Sequence, residues 1–374
     1  MDILLLIVSL AVILLAAELF TNGIEWFGHK LNLAEGAVGS VLAAVATALP
    51  ETLIPVIAIL GPMIFGGDTE AAHAIGVGAI LGAPFTLATL AMFVTGVAVI
   101  LYARGGRRGT GMRVNVRVLG RDVGFFVVGY GIAIGTAFLP AGLSWLKWVA
   151  AAALFIIYAV YVRLHFTDAP EAGDPEELAQ LHATRLPGMA GPHTLDIDLL
   201  PGEKDSWEDV EGAPPRMRII VSQVLAALAL IIIGAQVFVG AVEQLSLVIG
   251  LDPLILTLII APIATELPEK FNSVLWVRTG KDTLAMGNIT GAMVFQSCLP
   301  TVLGLLFTTW TFTEESAIGF ASAGVAIVAT LIIFGNMLRT GKLSAWTLLI
   351  GGPLYLIYVY LALFTPLGAG ATGH

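Results

Sequence analysis

One six-residue pattern occurs twice in this chain, each time inside a long apolar segment. The first copy is Ala46-Thr47-Ala48-Leu49-Pro50-Glu51 and the second is Ala264-Thr265-Glu266-Leu267-Pro268-Glu269. A carboxylate in the middle of a membrane span is costly, so it marks a functional site by default. The proline beside it interrupts the helical ladder and frees a carbonyl one turn upstream. Two such interruptions at corresponding places in two halves are the pattern of a transporter built from repeats, with an ion site where the repeats meet.

The chain around the motifs supports that frame. Of its 374 residues, 57% are hydrophobic and 12% charged, about half the charge of a soluble domain. Several apolar runs reach the roughly 20 residues that a helix needs to cross a bilayer. We expect an all-α polytopic membrane protein with about ten transmembrane helices in two inverted five-helix repeats. The approximate limits are 2–28, 33–61, 70–102, 122–140, 144–165, 217–247, 252–277, 281–309, 315–338 and 344–365. A barrel would show short alternating strands instead. The first span is too long for a signal-peptide core and has no basic leader, so it reads as a retained helix. The lone cysteine, Cys298, excludes a disulfide framework and a thiolate metal site. No basic patch with interleaved aromatics points to nucleic acid, and the expected partners are small cations and the bilayer.

The loops predict orientation. Arg104, Arg107, Arg108, Arg113, Arg117 and Arg121 crowd between the third and fourth spans, a cytoplasmic signature. Counting outward, the other cytoplasmic ends carry Lys30, Arg163, Arg216, Arg218, Arg278, Lys281, Arg339 and Lys342. Outer loops carry Asp68, Glu70, Glu243, Asp252, Glu314 and Glu315, with Lys147 as the exception. Both termini then lie outside the cytoplasm, in a bacterial or archaeal plasma membrane. Five spans per half is an odd number, so the halves face opposite ways. The expected division is 1–166 for the first repeat, 167–215 for an acidic cytoplasmic loop, and 216–374 for the second repeat. The loop reads as a solvated linker, with a regulatory cation-binding role as the alternative. Residues 174–183 within it have the pattern of a short amphipathic helix.

A shift of 218 positions lays residues 16–51 on 234–269 without a gap, pairing Glu18 with Gln236, Phe20 with Phe238 and Glu25 with Glu243. A second block reads Gly78-Ala79-Ile80-Leu81-Gly82-Ala83 and Gly287-Asn288-Ile289-Thr290-Gly291-Ala292. Small residues four apart let membrane helices pack closely, so in each half a broken, carboxylate-bearing helix should press on a glycine-faced one.

The candidate ligands are hard oxygens. Glu51 and Glu269 supply charge. Carbonyls near Ala46 and Thr47, and near Ala264 and Thr265, are released upstream of the prolines, and the two threonines add hydroxyls. Glu266 lies at i,i+3 from Glu269, but Lys270 at i,i+4 makes an ordinary helical ion pair an equal alternative for it. Asn288 offers an amide oxygen or, alternatively, a helix–helix hydrogen bond. His73 reads as interfacial, and Glu18 and Gln236 as pathway or backbone-bonding residues. Such oxygens suit calcium, sodium or protons and not copper or zinc. No resident cofactor is expected.

The twin Thr-x-Leu-Pro-Glu helices, each followed by Gly-x-x-x-Gly-Ala, resemble the cation/calcium antiporter superfamily, nearest its sodium/calcium exchanger-like branch. The resemblance covers nearly all of the membrane part. It implies that Glu51 and Glu269 ligate the transported ion, that Thr47 and Thr265 assist through carbonyls and hydroxyls, and that calcium exchanges for sodium or protons by alternating access. The chain departs from the family pattern at Ala48, Glu266, Ala79, Ile75 and Leu284, where the family carries other polar residues. An exchanger of another monovalent or divalent cation is the alternative, and an ion channel a further one. A channel usually builds its pore from symmetric subunits, whereas this chain carries its own pair of halves. No His-Glu-x-x-His or Gly-x-Ser-x-Gly motif supports an intramembrane enzyme.

Overall fold

The computed structural model describes residues 2–30, 49–66, 68–106, 108–167, 181–182 and 215–365. Helix dominates, as expected where the bilayer offers backbone groups no water to bond. In the first half run α1 (Asp2–Lys30), α2 (Leu49–Phe65), α3 (Thr69–Thr86), a π-helical turn (Leu87–Ala91), α4 (Met92–Arg104), α5 (Val116–Gly135) and α6 (Leu146–Thr167). The second half holds α7 (Met217–Ile249), α8 (Pro253–Thr265), α9 (Leu267–Arg278), α10 (Asp282–Phe307), α11 (Ala317–Thr340), α12 (Ala345–Leu348) and α13 (Gly351–Phe364).

Among the described residues, eight stretches are long and apolar enough to cross a membrane, and two shorter apolar helices, Glu51–Ile64 and Pro253–Ile263, are the ones that carry or approach the motifs. The span foreseen at 252–277 is split into α8 and α9, and the one foreseen at 344–365 into α12 and α13. Large apolar side chains such as Leu4, Ile7, Trp148, Ile156 and Leu356 stand exposed on the helices, which suits a surface that meets lipid.

Close approach sets the helix pairs. α1 lies along α7, where Gly234 faces Ile13 and Gly23 faces Val224. α3 is pressed on two sides. A Cβ on Gly76 would run into Ile59 of α2, whereas Cβ atoms on Gly78 and Gly82 would run into the backbone of Leu254 and Leu258 in α8. The glycine face of the first half therefore carries the broken helix of the second half as well as touching its own. In the second half α9 does lie against α10, held by the Ser273 hydroxyl on the Ala285 carbonyl and the Asn288 amide on the Glu269 carbonyl, but not through the glycines. Gly287 has nothing within 4 Å, and Gly291 faces the Tyr161 hydroxyl of α6.

One end of the molecule is tied by polar contacts. A two-residue antiparallel ladder joins β1 (Gly111–Met112) to β2 (Leu343–Ser344). Beside it, Arg108 makes a two-pronged pair with Asp282 at 2.6 and 2.7 Å, and the Arg113 N–H donates to the same carboxylate at 2.7 Å. The loops holding Arg104, Arg108, Arg113, Arg278, Lys281 and Lys342 thus share one face. Lys147, the exception to the charge pattern, donates to the Trp310 carbonyl at 2.7 Å. Of the acidic loop between its end residues 167 and 215, the structure describes 181–182. Leu181 is buried, and His182 bonds Asn22 through its N–H and Glu18 through its ring. The expected amphipathic helix at 174–183 otherwise lies outside the described residues.

Candidate functional site

The second motif builds its own break. Pro268 has no N–H to give the helix ladder, and regular geometry lapses at Glu266 (φ −88°, ψ 10°). The chain is bent there and not stopped. The Glu266 N–H still reaches the Pro262 carbonyl (3.2 Å), and the Lys270 N–H reaches the Glu266 carbonyl (3.1 Å). Thr265 turns its hydroxyl back to the Ala261 carbonyl at 3.1 Å. Glu269 then falls in the first turn of α9, and Glu51 in the first turn of α2. The partial positive charge of a helix N-terminus favours a carboxylate there.

Glu51 and Glu269 are buried carboxylates with open oxygens. Their relative exposures are 6% and 4%. Neither oxygen of Glu51, nor Oε2 of Glu269, finds a hydrogen-bond donor among the described residues. A buried carboxylate without donors is expensive, and oxygens held open in this way are what a dehydrated cation requires. The two belong to one electrostatic unit, for Glu51 lies within charge–charge reach of Glu269, Glu266 and Lys270.

Glu266 is engaged instead. Lys270, itself buried, donates to its Oε2 at 2.8 Å, and to the Pro262 carbonyl at 3.1 Å. From the other half, Thr86 at the end of α3 directs its hydroxyl between both Glu266 oxygens at 2.7 and 2.8 Å. The i,i+4 ion pair foreseen for Glu266 is therefore formed. Asn288 uses its Nδ2 to hold the Glu269 carbonyl at 3.2 Å, which ties α10 to the first turn of α9. Ala46, Thr47 and Ala48 lie outside the described residues, as does the side chain of Ala264. Among the described residues, no three His, Cys, Asp or Glu side chains gather into a metal cluster. The three open oxygens of the site belong to two carboxylates, Glu51 and Glu269.

Two contacts were missed from the sequence. Thr86 had a signal, since Gly78, Gly82 and Thr86 are spaced four apart and so share one face of α3. Asp122 of α5, bonded by the Thr290 hydroxyl of α10 and 3.5 Å from the His165 ring, had none, because its partners are remote in sequence. His73 bonds the Ile59 carbonyl at 3.2 Å and takes no part in the site.

The family model described as sodium/calcium exchanger protein matches residues 1–167 and 219–364. Over 120 residues the chain is 34% identical to a protein of Alkalimonas amylolytica assigned as the putative antiporter CaxA. That stretch is 31% of this chain and 36% of the relative, so the match spans about a third of the curated relative's length. Among solved structures, the H+/Ca2+ exchanger CAX superposes with a TM-score of 0.67 at 15% identity, covering 99% of this chain and 84% of that one. The sodium-calcium exchanger NCX_Mj superposes with a TM-score of 0.54 at 16% identity, covering 98% and 100%. At such identities the likeness to the two structures concerns the fold.

Proposed function

This chain belongs to the sodium/calcium exchanger protein family, a family of membrane transporters and not of enzymes, and on that premise we propose that it carries calcium in exchange for sodium or protons. Glu51 and Glu269 bind the cargo between two repeats of opposite orientation, residues 1–166 and 216–374. The stretch 167–215 connects the repeats on the cytoplasmic side, and both termini lie on the other side. Alternating access presents the same two carboxylates first to one face and then to the other. The observation that carries this reading is the pair of buried motif carboxylates, of which both Glu51 oxygens and Oε2 of Glu269 have no donor among the described residues.

The chemistry follows from charge. Two carboxylates neutralise one calcium ion, or two sodium ions, or two protons. Each loaded form then crosses the low-dielectric interior without net charge on this pair, and the doubly ionised empty form is the costly one. That difference couples the two fluxes, because movement without a bound ion is disfavoured. Backbone carbonyls near Ala46–Thr47 and Ala264–Thr265, and the amide oxygen of Asn288, complete the oxygen shell that calcium prefers. Glutamine at 51 or 269 keeps the volume and removes the charge. Purified protein in liposomes tests the reading: counter-ion-driven calcium uptake should be lost in Glu51→Gln and in Glu269→Gln. Full uptake in both variants would remove the pair from the site. Uptake of another cation that calcium fails to compete for would give the same site a different cargo.

A further inference from the structure

Glu266 and Lys270 are a charged pair that the first repeat lacks. Under the 218-residue shift they stand where Ala48 and Thr52 stand. The second motif thus holds a negative and a positive charge one helical turn apart, where the first motif holds neither. Lys270 is 6% exposed and Glu266 1%. The ammonium sits on a carboxylate oxygen and on the Pro262 carbonyl, at 2.8 and 3.1 Å. Those are a carboxylate and a carbonyl in the bend of a broken membrane helix, the kind of oxygens that hold a sodium ion. Thr86 adds its hydroxyl to the same carboxylate from the other repeat. The Glu266–Lys270 pair lies within charge–charge reach of Glu51, both of whose oxygens stay open, and of Glu269, whose Oε2 stays open.

We infer that Lys270 is a tethered cation that permanently fills a monovalent-ion position beside the transport site, leaving only the charges of Glu51 and Glu269 for the cargo. The inference rests on the exchange reading above and specifies its stoichiometry. With the lysine present the three carboxylates carry a net charge of minus two, so one divalent ion exchanges for two monovalent ions. With the lysine removed the net charge is minus three, and a third mobile monovalent ion takes its place.

The test is a static-head measurement in proteoliposomes, with the membrane potential clamped at zero and a tenfold gradient of sodium, or of protons, whichever drives the native protein. Two-for-one exchange builds a calcium gradient of about a hundredfold, and three-for-one exchange about a thousandfold, since each tenfold step in a coupled ion multiplies the equilibrium ratio. The native protein should stop near a hundredfold, Lys270→Met near a thousandfold, and Lys270→Arg near a hundredfold. A Lys270→Met gradient that stays near a hundredfold overturns the inference, as does a native gradient near a thousandfold. Should Lys270→Met fail to fold, Glu266→Gln/Lys270→Met decides: it removes both charges together and should stop near a hundredfold, and any other ratio counts against the inference. A native protein that builds no calcium gradient under either driving ion would sink the exchange reading itself, which is a separate result.

Discussion

The hydroxyl of Thr86 points between both carboxylate oxygens of Glu266, 2.7 and 2.8 Å away, although the two residues lie in opposite halves of the chain. The contact closes the seam between α3 and the bend that separates α8 from α9. It also leaves Glu266 with two donors, Thr86 and Lys270, while Glu51 keeps both oxygens open.

Thr86→Val should therefore weaken the protein at that seam. Valine keeps the shape and removes one donor from a buried charged group, a change worth about 1.5–3 kcal/mol. The melting temperature in detergent should fall, and Thr86→Ser should recover most of the loss. An unchanged melting temperature for the valine variant would show that the Thr86 hydroxyl gives Glu266 no support.

The glycine face of α3 gives a second, purely steric prediction. A methyl group on Gly82 would overlap the Leu258 carbonyl and crowd Pro262, both in α8. Backbone cannot yield as a side chain can, so Gly82→Ala should displace α8 and lower both stability and calcium uptake. Gly324, on an exposed face of α11 with nothing within 4 Å of an added Cβ, is the control. Gly324→Ala should leave uptake unchanged, with stability equal or slightly raised by the better helix propensity of alanine. Equal uptake in the two alanine variants would contradict close packing of α3 on α8.

What the sequence disclosed depended on how local the cause was. Pro268 sits two residues from the bend it produces, so the broken helix could be read directly, while the placement of Glu269 in a first turn came from the structure. Glu266 and Lys270 are i,i+4 neighbours, and their pairing was legible as one of two options. The glycines Gly78 and Gly82 announced close packing, but the expected partner was the broken helix of their own half, because small size permits an approach without naming who approaches. Their partner proved to be α8 of the other half. Asp122 with Thr290, and Arg108 with Asp282, join residues about 170 positions apart, and no periodicity within a helix carries that information.

The Arg108–Asp282 pair should behave as a lock between the loop after α4 and the start of α10. Asp282 is 2% exposed at its side chain and accepts from both guanidinium nitrogens as well as from the Arg113 N–H. Removing one partner of such a pair strands the other charge, at a cost of about 3–5 kcal/mol. Arg108→Met and Asp282→Leu should each lower the melting temperature sharply. The double variant should be more stable than the sum of the two losses predicts, since no charge is left unpaired. Simple additivity in this cycle would mean that the two side chains do not act as a pair.

Asp252 supplies a pH dependence whose sign can be worked out. It precedes Pro253 at the start of α8, and its Oδ1 accepts the Leu254 N–H at 2.7 Å. Burial raises its pKa above the ordinary value, the nearby Glu315 charge adds to the rise, and bonds from the Leu254 and Ile255 N–H groups oppose it. The folded protein therefore holds this proton at pH values where the unfolded chain, titrating near about 4, has already lost it. Stability falls with rising pH wherever the folded state binds more protons than the unfolded one. The contribution of Asp252 is thus present in full below about pH 4 and is lost as pH rises through the higher folded value. In the Asp252→Asn variant the side chain cannot ionise, and its oxygen still caps α8, asparagine being as good a cap as aspartate. Melting curves in detergent between about pH 4 and pH 7 should show the native protein losing ground steadily to that variant. The opposite slope, with the native protein gaining over the variant as pH rises, would mean that the ionised Asp252 is favoured in the folded state and that the cap, not burial, governs the start of α8.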